Sequence, residues 1–340
     1  MQLVMDYDYL CYQCAAISES RTISAFHAPT NKTFIFNTRS ELWGKKKAKN
    51  EGWIAEINET LGKEKYKPED FVITDVQHEM PLEIAKKILD NKITSICQAL
   101  DCYDYYGYLG GGENFRHKLA TLLPYKGQRE DLIKPIHLEA LRLHAEKAHK
   151  ARKIHHLDIE SDDAISIDVY AGWLNWKQTK SDKDKVVGIM CDKDSNGQCG
   201  WYYNPENGDA PRNNGVFGGL WLNDKGEVKG YGRMWWYFQC AYGDISDNYK
   251  SNSGCKVRWG EKAAYNALIE CKTDKEAWQV LVGVFKHLYP KPTEIETFRG
   301  KIKIDWLYVF QEMVHMAHMR RDLEDILDVK YILTKLGVKH

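Results

Sequence analysis

The apolar runs of this chain are short, and several of them stop on an acid. Residues 2–5 have the character of a buried strand and end on Asp6, in LVMDYDYL. The spans 22–28 (TISAFHA) and 32–37 (KTFIFN) predict a hairpin around Pro29-Thr-Asn. A solvated basic stretch follows at 45–49, then a helix near 51–61 and a strand over 71–74. From Pro81 to about residue 100, Ile84, Ile88, Ile93, Ile96 and Leu100 fall at helical spacing. Residues 105–109 predict a strand broken by Gly110-Gly-Gly, and 116–150 is a long polar segment before order resumes at Ile154. Residues 161–175 predict a helix and 186–191 a buried strand. Strand, helix and strand in this order predict an α/β core with a mainly parallel sheet flanked by helices. The Gly-, Asn- and Trp-rich span 197–233 carries turn signals at Asn207-Gly208 and Asp224-Lys-Gly226, and predicts a β-hairpin excursion. From Met234 onward the pattern is helical, with no strong strand signal.

At 340 residues and 43% hydrophobic content, one large domain or two smaller ones can bury a real core. No apolar run approaches the roughly 18 residues that cross a bilayer, and the acidic start does not read as a signal peptide. Cys11 and Cys14 form a lone CxxC with no second pair, so the nine cysteines read as reduced thiols of a cytoplasmic protein rather than a zinc site. Net charge is zero, 48 basic against 48 acidic residues. Nine of the acids fall in four clusters: Asp6 and Asp8; Glu160, Asp162 and Asp163; Asp192 and Asp194; Asp244 and Asp247. Taking nine from 48 leaves 39 acids against 48 bases, so neutrality does not exclude a nucleic-acid partner.

Carboxylates brought together repel unless a cation holds them, and hard oxygen donors suit Mg²⁺ or Mn²⁺. Asp6 and Asp192 each follow an apolar strand, where an open α/β sheet binds ligands; capping of the next helix is the other reading. Glu160, Asp162 and Asp163 open a helix whose dipole tolerates negative charge. In CDKDS, Asp192 and Asp194 at i and i+2 share one side if extended. After Asp244 and Asp247, a glycine-containing loop (Gly254, Gly260) leads into a helix with Lys262. Its amides suit a phosphate; an ordinary helix–turn–helix core is the alternative. Arg116, Lys118, Lys126 and Arg129 form a basic run, which is either a solvated face or a grip on the scissile phosphate. Gly110 to Gly112 do not make a phosphate loop, because no Gly-Lys-Ser/Thr follows.

In order, MDYDYL, NFR…PYKGQR, ESDD, CDKD, GDISDN and WGEKAA resemble the 5′-nuclease family, the phage 5′–3′ exonucleases and flap endonucleases, over roughly residues 1–275. The resemblance implies a PIN-like core over 1–235 with an arch at about 112–158, while residues 22–80 and the hairpin insertion 197–233 are not covered by the family's pattern. It also implies a helix–three-turn–helix duplex-binding element at 236–290, followed by a helical segment at 291–340. It implies metal ligation by Asp6, Glu160, Asp162, Asp163, Asp192, Asp194 and Asp247, with Asp244 a partner and Asp8 of lower rank. Two ions of Mg²⁺ or Mn²⁺ would serve phosphodiester hydrolysis. Lys126 and Arg129 would orient the phosphate, while Arg116, Lys118, Gly254, Gly260 and Lys262 would contact DNA. The implied substrates are DNA with a free 5′ end or flap and RNA–DNA primer hybrids. The setting would be replication or recombination in a phage-infected cytoplasm, alongside replication proteins and without a membrane. Many members carry an Asp directly after the strand at 105–109; here Gly110 and Gly111 stand in that place. Glu113 is the expected substitute, and Asp101 and Asp104 precede the strand. Tyr103, Tyr105, Tyr106 and Tyr108 read as core and sheet-surface residues rather than base-stacking ones. Two rivals remain: a PIN-type ribonuclease, and a relic that grips branched DNA without cutting it.

Overall fold

The computed structural model describes residues 1–45, 51–129 and 132–340. Most of the basic stretch at 45–49 therefore lies outside the described residues, as do positions 130 and 131 within the segment expected to form an arch. The chain folds as two compact units, one of residues 1–9, 94–133 and 145–340, the other of 10–93 and 134–144.

The first unit is built on a six-stranded sheet. Its strands, in chain order, are β1 (Gln2–Asp6), β2 (Tyr105–Leu109), β3 (Ala151–Lys153), β4 (Val186–Ile189), β5 (Trp201–Tyr203) and β6 (Arg212–Asn213). Their spatial order is β3-β2-β1-β4-β5-β6, and every neighbouring pair is parallel except β5 with β6. The central strand β1 buries Leu3, Val4 and Met5 completely, as a strand covered on both faces requires. Gly107 in β2 is dictated by this pairing, because a Cβ there would lie 2.1 Å from the Met5 carbonyl oxygen.

Helix α1 (Phe115–Leu119) opens on a capping box at Asn114. Helix α2 (Ser161–Thr179) runs against the sheet through Ile165 and Val169, both fully buried. Beyond β6 come the hairpin β7 (Gly219–Leu222) and β8 (Val228–Tyr231), then α3 (Arg233–Tyr242), α4 (Glu261–Leu268), α5 (Asp274–Leu288) and α6 (Trp306–Ala317). Helices α3, α5 and α6 share the largest apolar cluster of the unit, in which Trp278, Phe285 and Phe310 meet.

Two expectations change here. Residues 197–233 are only partly an excursion, since β5 and β6 extend the main sheet and only β7–β8 form a separate hairpin. The expected run of helix after Met234 is interrupted by an antiparallel pair, Thr293–Thr297 with Gly300–Ile304.

The second unit is a three-stranded antiparallel sheet with Glu19–His27 in the centre, between Lys32–Phe36 and Phe71–Glu79. Its core joins Ile23, Phe36, Leu42, Ile54, Tyr66 and Phe71. The predicted hairpin is thus present, and the strand begun at Phe71 continues to Glu79. No helix among the described residues is long and apolar enough to cross a membrane.

Candidate active site

The acidic residues converge at the carboxyl edge of the parallel sheet. Asp6 is the last residue of β1, and Asp8 lies in the first turn of the helix Tyr7–Ile17 that follows. Strands β2 and β4 flank β1, and Asp192 caps the 3-10 turn Lys193–Gly197 that follows β4 and contains Asp194. Glu160 is the N-cap of α2, with Asp162 and Asp163 in its first turn. The edge of an open parallel sheet is where unpaired strand ends and helix starts face a ligand.

Four of these acids form an uncompensated group. Asp6 is 5% exposed, and burial, Asp8 and Asp192 raise its pKa to about 7 despite the Tyr9 N–H it accepts at 3.1 Å. Burial raises Asp162 well above the ordinary carboxyl range, and Asp6, Asp192 and Glu160 add to the effect. Asp194 is raised likewise, by burial and then by Asp192, Asp244 and Asp247, although Gln239 donates to it at 2.5 Å. Asp192 is exposed and accepts the Asp194 N–H at 3.0 Å. Among the described residues no three of these carboxylates bring oxygens within 4.8 Å of one another. An all-oxygen donor set whose members repel and lack cationic partners fits hard divalent cations.

The other acids are already compensated. Glu160 accepts from Lys126 Nζ at 2.6 Å, Tyr125 Oη at 2.8 Å and Arg116 Nη1 at 3.1 Å. Burial pushes it up, but Lys126 and Arg116 outweigh burial and hold it at about 2. Asp247 accepts from Arg129 Nη2 at 2.6 Å and Tyr125 Oη at 2.9 Å, although burial outweighs Lys126 and Arg129 and leaves its pKa raised. Asp244 takes Lys193 Nζ at 2.9 Å and the Ser246 N–H at 2.7 Å; these overcome burial and lower its pKa. The structure therefore divides the expected ligands by their partners: Asp6, Asp162, Asp192 and Asp194 make no ion pair with a protein cation among the described residues, while Glu160, Asp244 and Asp247 each do.

Asp163 and Arg116 do not take the roles expected of them. Asp163 is fully buried, and both its oxygens are saturated by Arg116, at 2.7 and 2.9 Å, and by the backbone N–H of Glu160 and Arg320. A carboxylate with four donors and no exposure is a structural acceptor, not a free ligand. Arg116, expected to touch DNA, is 3% exposed and turned inward onto that carboxylate. Lys126 and Arg129 do lie beside the acidic edge, each engaged with an acid, and Lys126 adopts a left-handed φ of 55°. Lys118 pairs with Asp158 at 2.8 Å on the surface.

Tyr125 was not singled out in the sequence, where it sits unremarked inside PYKGQR. It is buried, and its one hydroxyl bridges Glu160 and Asp247. Replacing Tyr125 by Phe removes the one buried O–H that the two acids share. The expected loss is about 1–3 kcal/mol of stability, read from urea unfolding midpoints.

The glycines after β2 also find an explanation. Gly110 N–H donates to Asp8 Oδ2 at 2.7 Å, and a Cβ at position 110 would lie 3.0 Å from that oxygen. The Asp8 carboxylate thus covers the turn that a larger residue would occupy, while Glu113, the expected substitute, is exposed. Tyr106 and Tyr108 donate to Asp168 at 2.7 and 2.5 Å, as sheet-surface residues rather than stacking platforms. Farther along, Gly254 has φ 72°, Gly260 caps α4 without a side-chain donor or acceptor, and Lys262 is exposed.

No family model matches the chain, and no curated protein matches it in sequence. Among solved structures, a mutant of T5 5′-exonuclease is 14% identical, with 74% of this chain and 84% of that chain covered and a TM-score of 0.35. A T5 protein co-crystallized with metal ions is 13% identical, with 74% and 83% covered and a TM-score of 0.40. The chain is similar in structure to T5 5′-exonuclease. With identity this low, the side chains themselves must carry any functional reading.

Proposed function

We propose that this protein is a divalent-metal-dependent 5′-nuclease that hydrolyses phosphodiester bonds of DNA at a free 5′ end or a 5′ flap. The observation that carries the reading is the group of Asp6, Asp162, Asp192 and Asp194 at one sheet edge, uncompensated by protein cations and flanked by Lys126 and Arg129. Metals held there would supply Lewis-acid activation of the phosphate and of water. The chain's own contribution is positional. Lys126 and Arg129 stand beside the acids, each in a 2.6 Å ion pair, and a phosphate arriving at the edge would compete with Glu160 and Asp247 for them. The resemblance of the ordered motifs ESDD, CDKD and GDISDN to the 5′-nuclease family favours DNA ends over other phosphodiesters, and the glycine turn before Lys262 offers amides to a duplex backbone.

The test is cleavage of a labelled 5′-flap duplex and a single-stranded RNA in Mg²⁺, in EDTA and with Asp192→Ala. The reading expects metal-dependent cutting of the flap near its junction or 5′ end, reduced at least about 100-fold in the variant. Preferential cutting of the RNA would indicate a ribonuclease instead. Tight flap binding without cutting in Mg²⁺ or Mn²⁺ would indicate a non-cleaving branched-DNA binder.

A further inference from the structure

A cavity of about 650 Å³ opens beside Asp192, between the turn after β4, the hairpin β7–β8 and helix α3. Its size falls in the range of pockets that enclose small organic ligands. Trp221 and Trp235 contribute indole rings to its lining, the first 43% exposed and the second 6%. Four lining side chains, each nine-tenths or more buried, keep a polar atom without any hydrogen-bond partner: Trp235 Nε1, Gln239 Oε1, Asn214 Oδ1 and the Tyr202 hydroxyl. The opposite ends of the two amides are committed, Gln239 Nε2 to Asp194 and Asn214 Nδ2 to the Ser195 carbonyl at 2.9 Å. Orphaned donors and acceptors at this depth are costly unless a ligand or ordered water meets them.

The cavity is not built for an anion. Its wall carries four carboxylates, Asp192, Asp209, Glu227 and Glu261, against three cations: Lys193, paired with Asp244 at 2.9 Å, Lys229, paired with Glu227 at 3.1 Å, and Arg212, which lies over the Tyr231 ring. The buried groups without partners are all neutral, one N–H donor, two amide acceptors and a hydroxyl beside aromatic surface, the complement of a flat heterocycle with its own donors and acceptors. We propose that this cavity receives the nucleobase of one unpaired nucleotide whose phosphate lies at the acidic edge. The proposal rests on the nuclease reading for the position of that phosphate, whereas the cavity's preference for a neutral heterocycle follows from its own lining. Stacking on the indoles would supply affinity with little sequence preference, and the buried amides would orient the base edge. The hairpin that walls the cavity then has a purpose: it fixes which nucleotide sits beside the scissile bond.

The experiment places 2-aminopurine, one position at a time, through the flap and junction of a 5′-flap duplex and reads its fluorescence on binding in Ca²⁺ and in EDTA. A parallel series carries an abasic residue at each position and reads Kd. The proposal expects one position with fluorescence quenched several-fold and its neighbours unchanged. An abasic residue there should weaken binding about ten-fold. Trp221→Ala should abolish both effects and Trp221→Phe should restore most of each. Trp221 is partly exposed and makes no hydrogen bond to the acids among the described residues, and the folded state of both variants is checked by thermal unfolding. No responsive position, with abasic substrates bound as tightly as intact ones, overturns the proposal even if the protein cleaves flaps in Mg²⁺. A responsive position in a protein that fails to cleave keeps the base pocket and rejects the nuclease reading.

Discussion

Raising the pH from about 4 to about 7 in EDTA should destabilise the protein at its acidic edge, and saturating Mg²⁺ should abolish that loss. Asp6 carries the sign. Its carboxyl ionises near 3.8 when free and near 7 in the fold, because burial, Asp8 and Asp192 disfavour its charge. Between those two values the folded chain keeps a proton that the unfolded chain has released, so stability falls as pH rises and levels off above the folded value. For a shift of this size the effect is on the order of 4 kcal/mol. Asp162 and Asp194, raised by burial and then by their acidic neighbours, act in the same direction. Glu160 falls outside the window: its folded pKa of about 2 gives stability that is lost only as pH drops below 4.5. The buried His315 and His318, lowered chiefly by desolvation, act with the opposite sign as pH rises. They are unaffected by the metal, so the informative quantity is the difference between the EDTA and Mg²⁺ curves. That difference should widen with pH, because a cation binds the ionised acids and the folded state alone. Asp6→Asn should raise the unfolding midpoint in EDTA above about pH 7 and shrink the gain from Mg²⁺. An unchanged Mg²⁺ gain in this variant would remove Asp6 from the metal site.

What could be read from the chain was local. Leu3, Val4 and Met5 form an apolar run that ends on Asp6, and the fold makes that run a central strand with the acid at its carboxyl end. The helix expected over 161–175 extends from Ser161 to Thr179, because its apolar positions recur at helical spacing behind an acidic start. Weaker periodic signals were overridden by charge. Residues 138–148 form a helix that buries Leu138, Leu141 and Ala145, yet the basic residues among them read as part of a polar segment. The pair 293–304 alternates Ile295, Ile302 and Ile304 with charged residues, too few apolar positions per strand to stand out. The charge pairing was invisible for a different reason. Arg116 lies 47 residues from Asp163, and Tyr125 lies 122 from Asp247. A charged side chain in a basic run looks alike in sequence whether it meets solvent or a buried acid; only the topology that joins α1 to the start of α2 decides.

Arg116→Ala should therefore cost about 3–5 kcal/mol of stability, far more than the loss of a surface DNA contact. The guanidinium spends all five of its donors inside the protein. Nε reaches the Met316 carbonyl at 3.3 Å, Nη1 reaches Glu160 and Asp163, and Nη2 reaches Asp163 and the His318 carbonyl at 2.7 Å. It thereby ties α1 to the start of α2 and to the end of α6. Removing it leaves Asp163 charged, fully buried and held only by backbone N–H groups. Lysine is no remedy, since an ammonium has three donors and cannot reproduce the bidentate fork. Asp163→Asn should be milder, because it removes the charge and keeps one acceptor. In the double variant Arg116→Ala, Asp163→Asn, the buried charge that makes the single arginine change so costly is gone. The two effects should then be strongly non-additive, with the double variant more stable than Arg116→Ala. A surface role predicts the reverse split: stability changed by less than about 1 kcal/mol, flap affinity weakened, and a shallower salt dependence of binding. Urea unfolding of the three variants, set beside their flap affinity at two salt concentrations, separates a cation that builds the acidic edge from one that grips DNA.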